Sequence, residues 1–133
     1  MRKRDKQRVF DKVAVHLLTQ REQSNSNGTC VYRGKDRLMC AAGVLIPTDI
    51  DIPEDFNSTD WDGLIHHIKY PKDKFTKILA KRLPLYYLES SAVAFVQELQ
   101  HIHDHKNPSE WPTYLIWYAE DHKLSTEKIV HLL

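Results

Sequence analysis

The chain has 133 residues, of which 41% are hydrophobic and 28% charged; this fits one globular domain over residues 1–133 that buries roughly two-thirds of its unfolded surface. Its 19 basic and 18 acidic side chains leave a formal net charge of +1, which excludes a global field of the kind that draws nucleic acid or a membrane surface. Two cysteines exclude a disulfide scaffold, and no apolar run reaches membrane-spanning length, so a soluble, cytoplasmic protein is expected.

Helical periodicity dominates the first elements. Arg2, Lys3, Arg4, Lys6 and Arg8 form a basic start, followed by Phe10, Val13, Leu17 and Leu18 at helical spacing, which predicts an amphipathic helix over residues 5–20 with Asp5 as its N-cap. Phe10-Asp11-Lys12 interrupts any signal-peptide core. Asn25, Ser26, Asn27 and Gly28 read as a polar loop. Residues 29–32 and 38–40 read as two strands around the turn at 34–37, a small β-hairpin near residues 29–40. Residues 41–46 carry no polar side chain and end before Pro47, which suits a short buried helical turn or a buried extended segment equally well, the helical turn being preferred.

An acidic loop over 48–58 leads to a helix capped by Ser58 or Thr59 and carrying Trp61, Leu64, Ile65 and Ile68. Pro71 interrupts it. A short helix with Phe75, Ile78 and Leu79 runs toward Pro84, and residues 90–105 form the strongest helical pattern, with Val93, Val96, Leu99 and Ile102 on one face. Ser109 starts a helix bearing Trp111, Leu115 and Tyr118, and Ser125 starts a last one bearing Ile129 and Leu132. The fold class that follows is an α-rich (α+β) single domain with one small hairpin.

Phe10-Asp11-Lys12-Val13, Gln20, Cys30, Tyr32-Arg33-Gly34, Cys40-Ala41, Gly43 and Leu45-Ile46-Pro47 recur in a fixed order with Leu99-Gln100, His103-Asp104 and Trp111-Pro112. This order resembles a family of small uncharacterised proteins of bacteria and their phages, over most of the chain. The resemblance implies a phage or bacterial accessory protein and supplies no reaction. The chain departs from the pattern at its turn, where the resemblance implies a proline near Lys35 and a glycine near Arg37.

Tyr32, Arg33, Gln100, His103 and Asp104 are the ligand-binding candidates. Arg33 offers a bidentate fork for a phosphate or carboxylate, and helical spacing sets Gln100 beside both His103 and Asp104. The vicinal pair His103 and Asp104 is expected to diverge by about 100°, so the two are not expected to form a catalytic dyad with each other and could reach two different partners. The bland alternative is that His103 and Asp104 lock the helix to the hairpin through its backbone or through Arg33. Cys30 and Cys40 read as reduced structural thiols. His101 and His105, one turn apart, give half of a zinc pattern, but the cysteine spacing is too wide for the other half, so no metal and no cofactor is expected. Trp111, Tyr114 and Trp117 are the partner-surface candidates.

The function these features point to is a noncatalytic accessory binding protein that engages a host or bacterial protein, or a small anionic ligand. A nucleic-acid contact would have to use the basic start. The competing reading is a small hydrolase acting on a nucleotide or peptide through Arg33 and His103.

Overall fold

A computed structural model describes residues 1–133, and its first helix shows how the apolar spacing becomes packing. Helix α1 (Lys3–Gln20) buries Val9, Phe10, Val13, Ala14, Leu17 and Leu18 on one face. That face lies against α4 (Ser90–His105) and α5 (Trp111–Asp121). Asp5 is not the cap: Arg2 takes that position without a side-chain hydrogen bond, and Asp5 sits in the first turn, where a carboxylate meets the positive end of the helix dipole. The helix ends at Arg21, whose left-handed backbone (φ 60°) returns its N–H to the Leu17 carbonyl.

The hairpin lies earlier than its expected place. Strand β1 (Asn25–Ser26) pairs antiparallel with β2 (Thr29–Cys30) across Asn27-Gly28, whose φ angles of 53° and 82° are those of a tight primed turn. Residues 34–38 still reverse the chain, but as an isolated turn: the Gly34 N–H donates to the Leu38 carbonyl at 2.8 Å, and no ladder extends from it. Asp36 and Arg37 hold positive φ there (54° and 62°). Arg37 thus adopts the conformation that suits glycine, the residue type the resemblance implies at this place.

The remaining elements follow the expected pattern closely in the middle of the chain. Gly43–Leu45 is a 3-10 turn with Leu45 and Ile46 buried against α1. Helix α2 (Trp61–Lys69) is capped by Asp60, which accepts from the Gly63 N–H at 3.0 Å, rather than by Ser58 or Thr59. Helix α3 (Lys74–Arg82) is capped in the same way by Asp73. The last expected helix is absent; after Ser125 there is only a 3-10 turn at Val130–Leu132. A segment of that length gains too few i to i−4 bonds to offset nucleation, and the burial of Ile129 anchors it instead.

Five α-helices and one two-stranded hairpin therefore make an α-rich fold around one contiguous apolar core. Helix α4 is central, touching α1, α2 and α5. No helix is long and apolar enough to cross a membrane.

Candidate functional site

The five ligand-binding candidates do not converge on one place. Arg33 turns toward the segment that follows it: Nη1 donates to the Gly43 carbonyl at 2.6 Å, and Nη2 donates to the carbonyls of Ile46 (2.9 Å) and Pro47 (3.3 Å). Asn57 fixes the backbone of the same residue, accepting from its N–H and donating to its carbonyl, each at 2.9 Å. Both terminal guanidinium nitrogens are thus committed to main-chain oxygens around the Gly43–Leu45 turn, which positions the turn and leaves no open fork for a phosphate. This corrects the expected pocket in which Arg33 meets His103.

His103 is fully buried, its ring stacked on Trp111 at 5.5 Å. The Ser24 N–H donates to Nε2 at 3.0 Å, so Nε2 is an acceptor and the ring proton is on Nδ1. Nδ1 then donates to Asp104 Oδ1 at 2.8 Å. The two neighbours do bond to each other, contrary to the divergence expected from helical geometry, because the Asp104 side chain curls back beside the imidazole. Gln100 completes the cluster, donating from Nε2 to Asp104 Oδ1 at 2.6 Å and accepting from the Ala42 N–H at 2.8 Å. Helix α4 is thereby tied to residues on both sides of the hairpin. The tie runs to Ser24 and Ala42, not to Arg33.

Cys30, His103 and Asp104 place their ligand atoms within 4.8 Å of one another. The arrangement differs from both a metal site and a catalytic triad. A metal on Nδ1 would displace its only proton while Nε2 still accepts from Ser24, leaving the ring without any proton. In a triad the histidine bonds the thiol with one nitrogen and the carboxylate with the other, whereas here His103 spends Nε2 on the Ser24 N–H and Nδ1 on Asp104, leaving none for Cys30. Burial, with Asp104 beside it, pushes the Cys30 thiol up to about 12, far from a nucleophilic thiolate. Cys40, buried, is likewise pushed up to about 12, and both cysteines are free. Burial would raise the Asp104 carboxyl, but hydrogen bonds from His103, Cys30 and Gln100 outweigh it and hold it below its ordinary value.

Tyr32, Gln100 and Asp104 do share a place: a cleft of about 470 Å³ between the hairpin, residues 57–61 and α4. Cys30, Asp60 and Trp61 line it as well. So do the exposed His101 and His105, whose rings lie 4.4 Å apart. Tyr32 and Trp61 pack edge to face with ring centres 6.4 Å apart, 4% and 2% exposed. Neither the Tyr32 hydroxyl nor the Trp61 indole N–H has a hydrogen-bond partner in the protein. Sequence reasoning placed Trp61 on an apolar helix face and missed its place beside a cleft; no local signal marks it.

The partner-surface candidates divide. Trp111 is fully buried, with its Nε1 donating to the Lys106 carbonyl at 3.2 Å, and so belongs to the core. Trp117 is 53% exposed and packs edge to face on Tyr114 at 5.3 Å. The Lys106 ammonium sits over the Tyr114 ring, 4.5 Å from its centre.

No family of known proteins, no curated protein and no solved structure matches the chain.

Proposed function

We propose that the chain is a noncatalytic binding protein that engages a protein partner through the corner formed by Lys106, at the end of α4, and Tyr114 and Trp117 on α5; the accessory role in phage or mobile-element biology remains the context the sequence resemblance implies. The observation that carries the reading is the commitment of the reactive groups. Arg33 is bonded to carbonyls, both nitrogens of His103 are engaged, and the Cys30 thiol is held protonated. A hydrolase acting through Arg33 and His103 would need these groups free to meet a substrate. An exposed Trp packed on a half-buried Tyr beside a cation, by contrast, presents the residue types that dominate protein interfaces.

The test is binding compared across variants. Trp117→Ala keeps the wild-type urea midpoint, since a change at an exposed side chain of this sort moves stability by about 0.5 kcal/mol or less. The affinity for a partner captured by the wild type falls at least about tenfold, as for loss of an interface anchor. A captured partner that binds Trp117→Ala as tightly as wild type, or turnover of a nucleotide or peptide by the purified protein, overturns the proposal.

A further inference from the structure

One pair of imidazoles on α4 takes no part in the lock around His103. His101 and His105 are exposed, stand one helical turn apart and line the cleft, with ring centres 4.4 Å apart and planes inclined by 36°. We propose that they chelate a divalent transition ion of the zinc, nickel and copper class, whose remaining positions stay open to water or to a donor atom of a bound molecule. The α5 corner is not involved, since Lys106, Tyr114 and Trp117 do not line the cleft.

Geometry carries the assignment. An ion bonded at about 2.0–2.1 Å to one nitrogen of each ring, with a bond angle between about 90° and 109°, holds the ring centres roughly 4.5–5.2 Å apart. The observed 4.4 Å lies next to the lower end of that range. Once the ion is on one imidazole, capture by the other is intramolecular and needs little movement of an exposed side chain. A neutral imidazole keeps one acceptor nitrogen, and here no protein group competes for it: the side-chain hydrogen bonds and ion pairs of histidine involve His16, His103 and His122.

The same test sets this pair apart from the other histidines. His66 and His67 are sequence neighbours on α2, leave the helix about 100° apart and have ring centres 6.2 Å apart, beyond the chelate range. His131 is exposed in the last 3-10 turn with no imidazole stacked on it.

The surroundings favour a cation and decide its kind. Asp60 and Asp104 line the cleft, and no lysine or arginine does. The three-residue cluster of close ligand atoms is Cys30, His103 and Asp104, so no thiol or carboxylate joins the exposed pair as a third close ligand. Two imidazoles without an oxygen donor suit zinc, nickel and copper, and not magnesium or calcium. The cysteine spacing that is too wide for a four-ligand zinc site has no bearing on a two-ligand one.

The experiment is a calorimetric titration of the untagged full-length protein with zinc chloride, in buffer alkaline enough to keep imidazole neutral. Saturable binding of one ion is expected, with none from magnesium chloride. His101→Ala and His105→Ala are each expected to weaken zinc binding at least about tenfold, the lower bound for losing even a partner behind a metal ligand. Both side chains are exposed, so the urea midpoint without metal stays at the wild-type value. His131→Ala, which removes a solitary imidazole, leaves the affinity unchanged. Absence of saturable zinc binding, equal binding of magnesium, or wild-type affinity in either His101→Ala or His105→Ala overturns the proposal.

Discussion

Two groups of buried polar atoms adjoin each other on α4, and the fold treats them in opposite ways. Around His103 every group is answered: Ser24 donates to Nε2, Nδ1 donates to Asp104, and Gln100 bonds both Asp104 and Ala42. Around Tyr32 and Trp61 the two side-chain polar atoms have no protein partner. A satisfied cluster holds backbone segments in one arrangement, and its members are unavailable to anything else. An unsatisfied pair contributes nothing to the fold through those atoms and costs free energy until something else completes it. The difference does not follow residue polarity alone, since histidine and aspartate are in the satisfied group and tyrosine and tryptophan in the other.

The comparison breaks most visibly at His103. His103→Ala removes the acceptor of Ser24, the donor to Asp104 and the ring packed on Trp111, and should cost about 3–5 kcal/mol in urea unfolding. A loss below about 1 kcal/mol would show that the cluster is not structural. Arg33→Ala comes next. It leaves the carbonyls of Gly43, Ile46 and Pro47 without their donor and should cost about 1–3 kcal/mol, with partner affinity unchanged in the folded protein. Stability kept and binding lost would instead return Arg33 to a ligand role.

Acid sharpens the same contrast. The Asp104 carboxyl is held below its ordinary value, so its contribution is complete at neutral pH. It begins to drain as the pH falls through the unfolded carboxylate value of about 3.9, and is gone below the lowered folded value. Asp104→Asn should therefore flatten the acid limb of a plot of urea midpoint against pH; an unaltered limb would mean that other carboxylates set it.

At the cleft the sign reverses. Tyr32→Phe deletes an unanswered hydroxyl and should raise stability by about 1 kcal/mol, whereas a loss of that size would reveal a partner for the hydroxyl. The smallest effect is expected at the turn, where Arg37→Gly relieves a left-handed backbone and should gain a few tenths to about 1 kcal/mol, net of the added freedom of the unfolded chain. A loss there would mean that the arginine side chain holds the turn.

Helices were legible in the sequence where apolar spacing was long and uninterrupted: α4 occupies the residues its pattern marks, and α1 begins two residues early because its true cap, Arg2, has no capping chemistry to read. The hairpin was misplaced although Asn27-Gly28 is a strong turn signal, because the strands beside it are two residues long and carry no apolar alternation. Bulk and polarity at 29–40 drew the strands there instead. In the candidate site, Gln100 and Asp104 were readable as helix neighbours, but the bond Gln100 accepts from Ala42 and the placement of His103 under Ser24 depend on contacts between segments distant in sequence. Helical spacing describes where the His103 and Asp104 side chains leave the helix, not how far a short carboxylate folds back, so their hydrogen bond was not legible in it. Trp111 and Trp117 illustrate the same limit: both sit on α5, and only the packing of that helix against α4 decides which is core.

The three tryptophans are distributed so that each reports a different part of the molecule. Trp61 lies beside the cleft, Trp111 under the His103 cluster and Trp117 in solvent on the α5 corner. Intrinsic fluorescence therefore reads three locations in the unlabelled chain: a soluble quencher reaches Trp117 first, loosening of the α4 tie exposes Trp111, and occupancy of the cleft alters Trp61. Paired Trp→Phe replacements isolate each emitter in turn and so give every region its own optical signal.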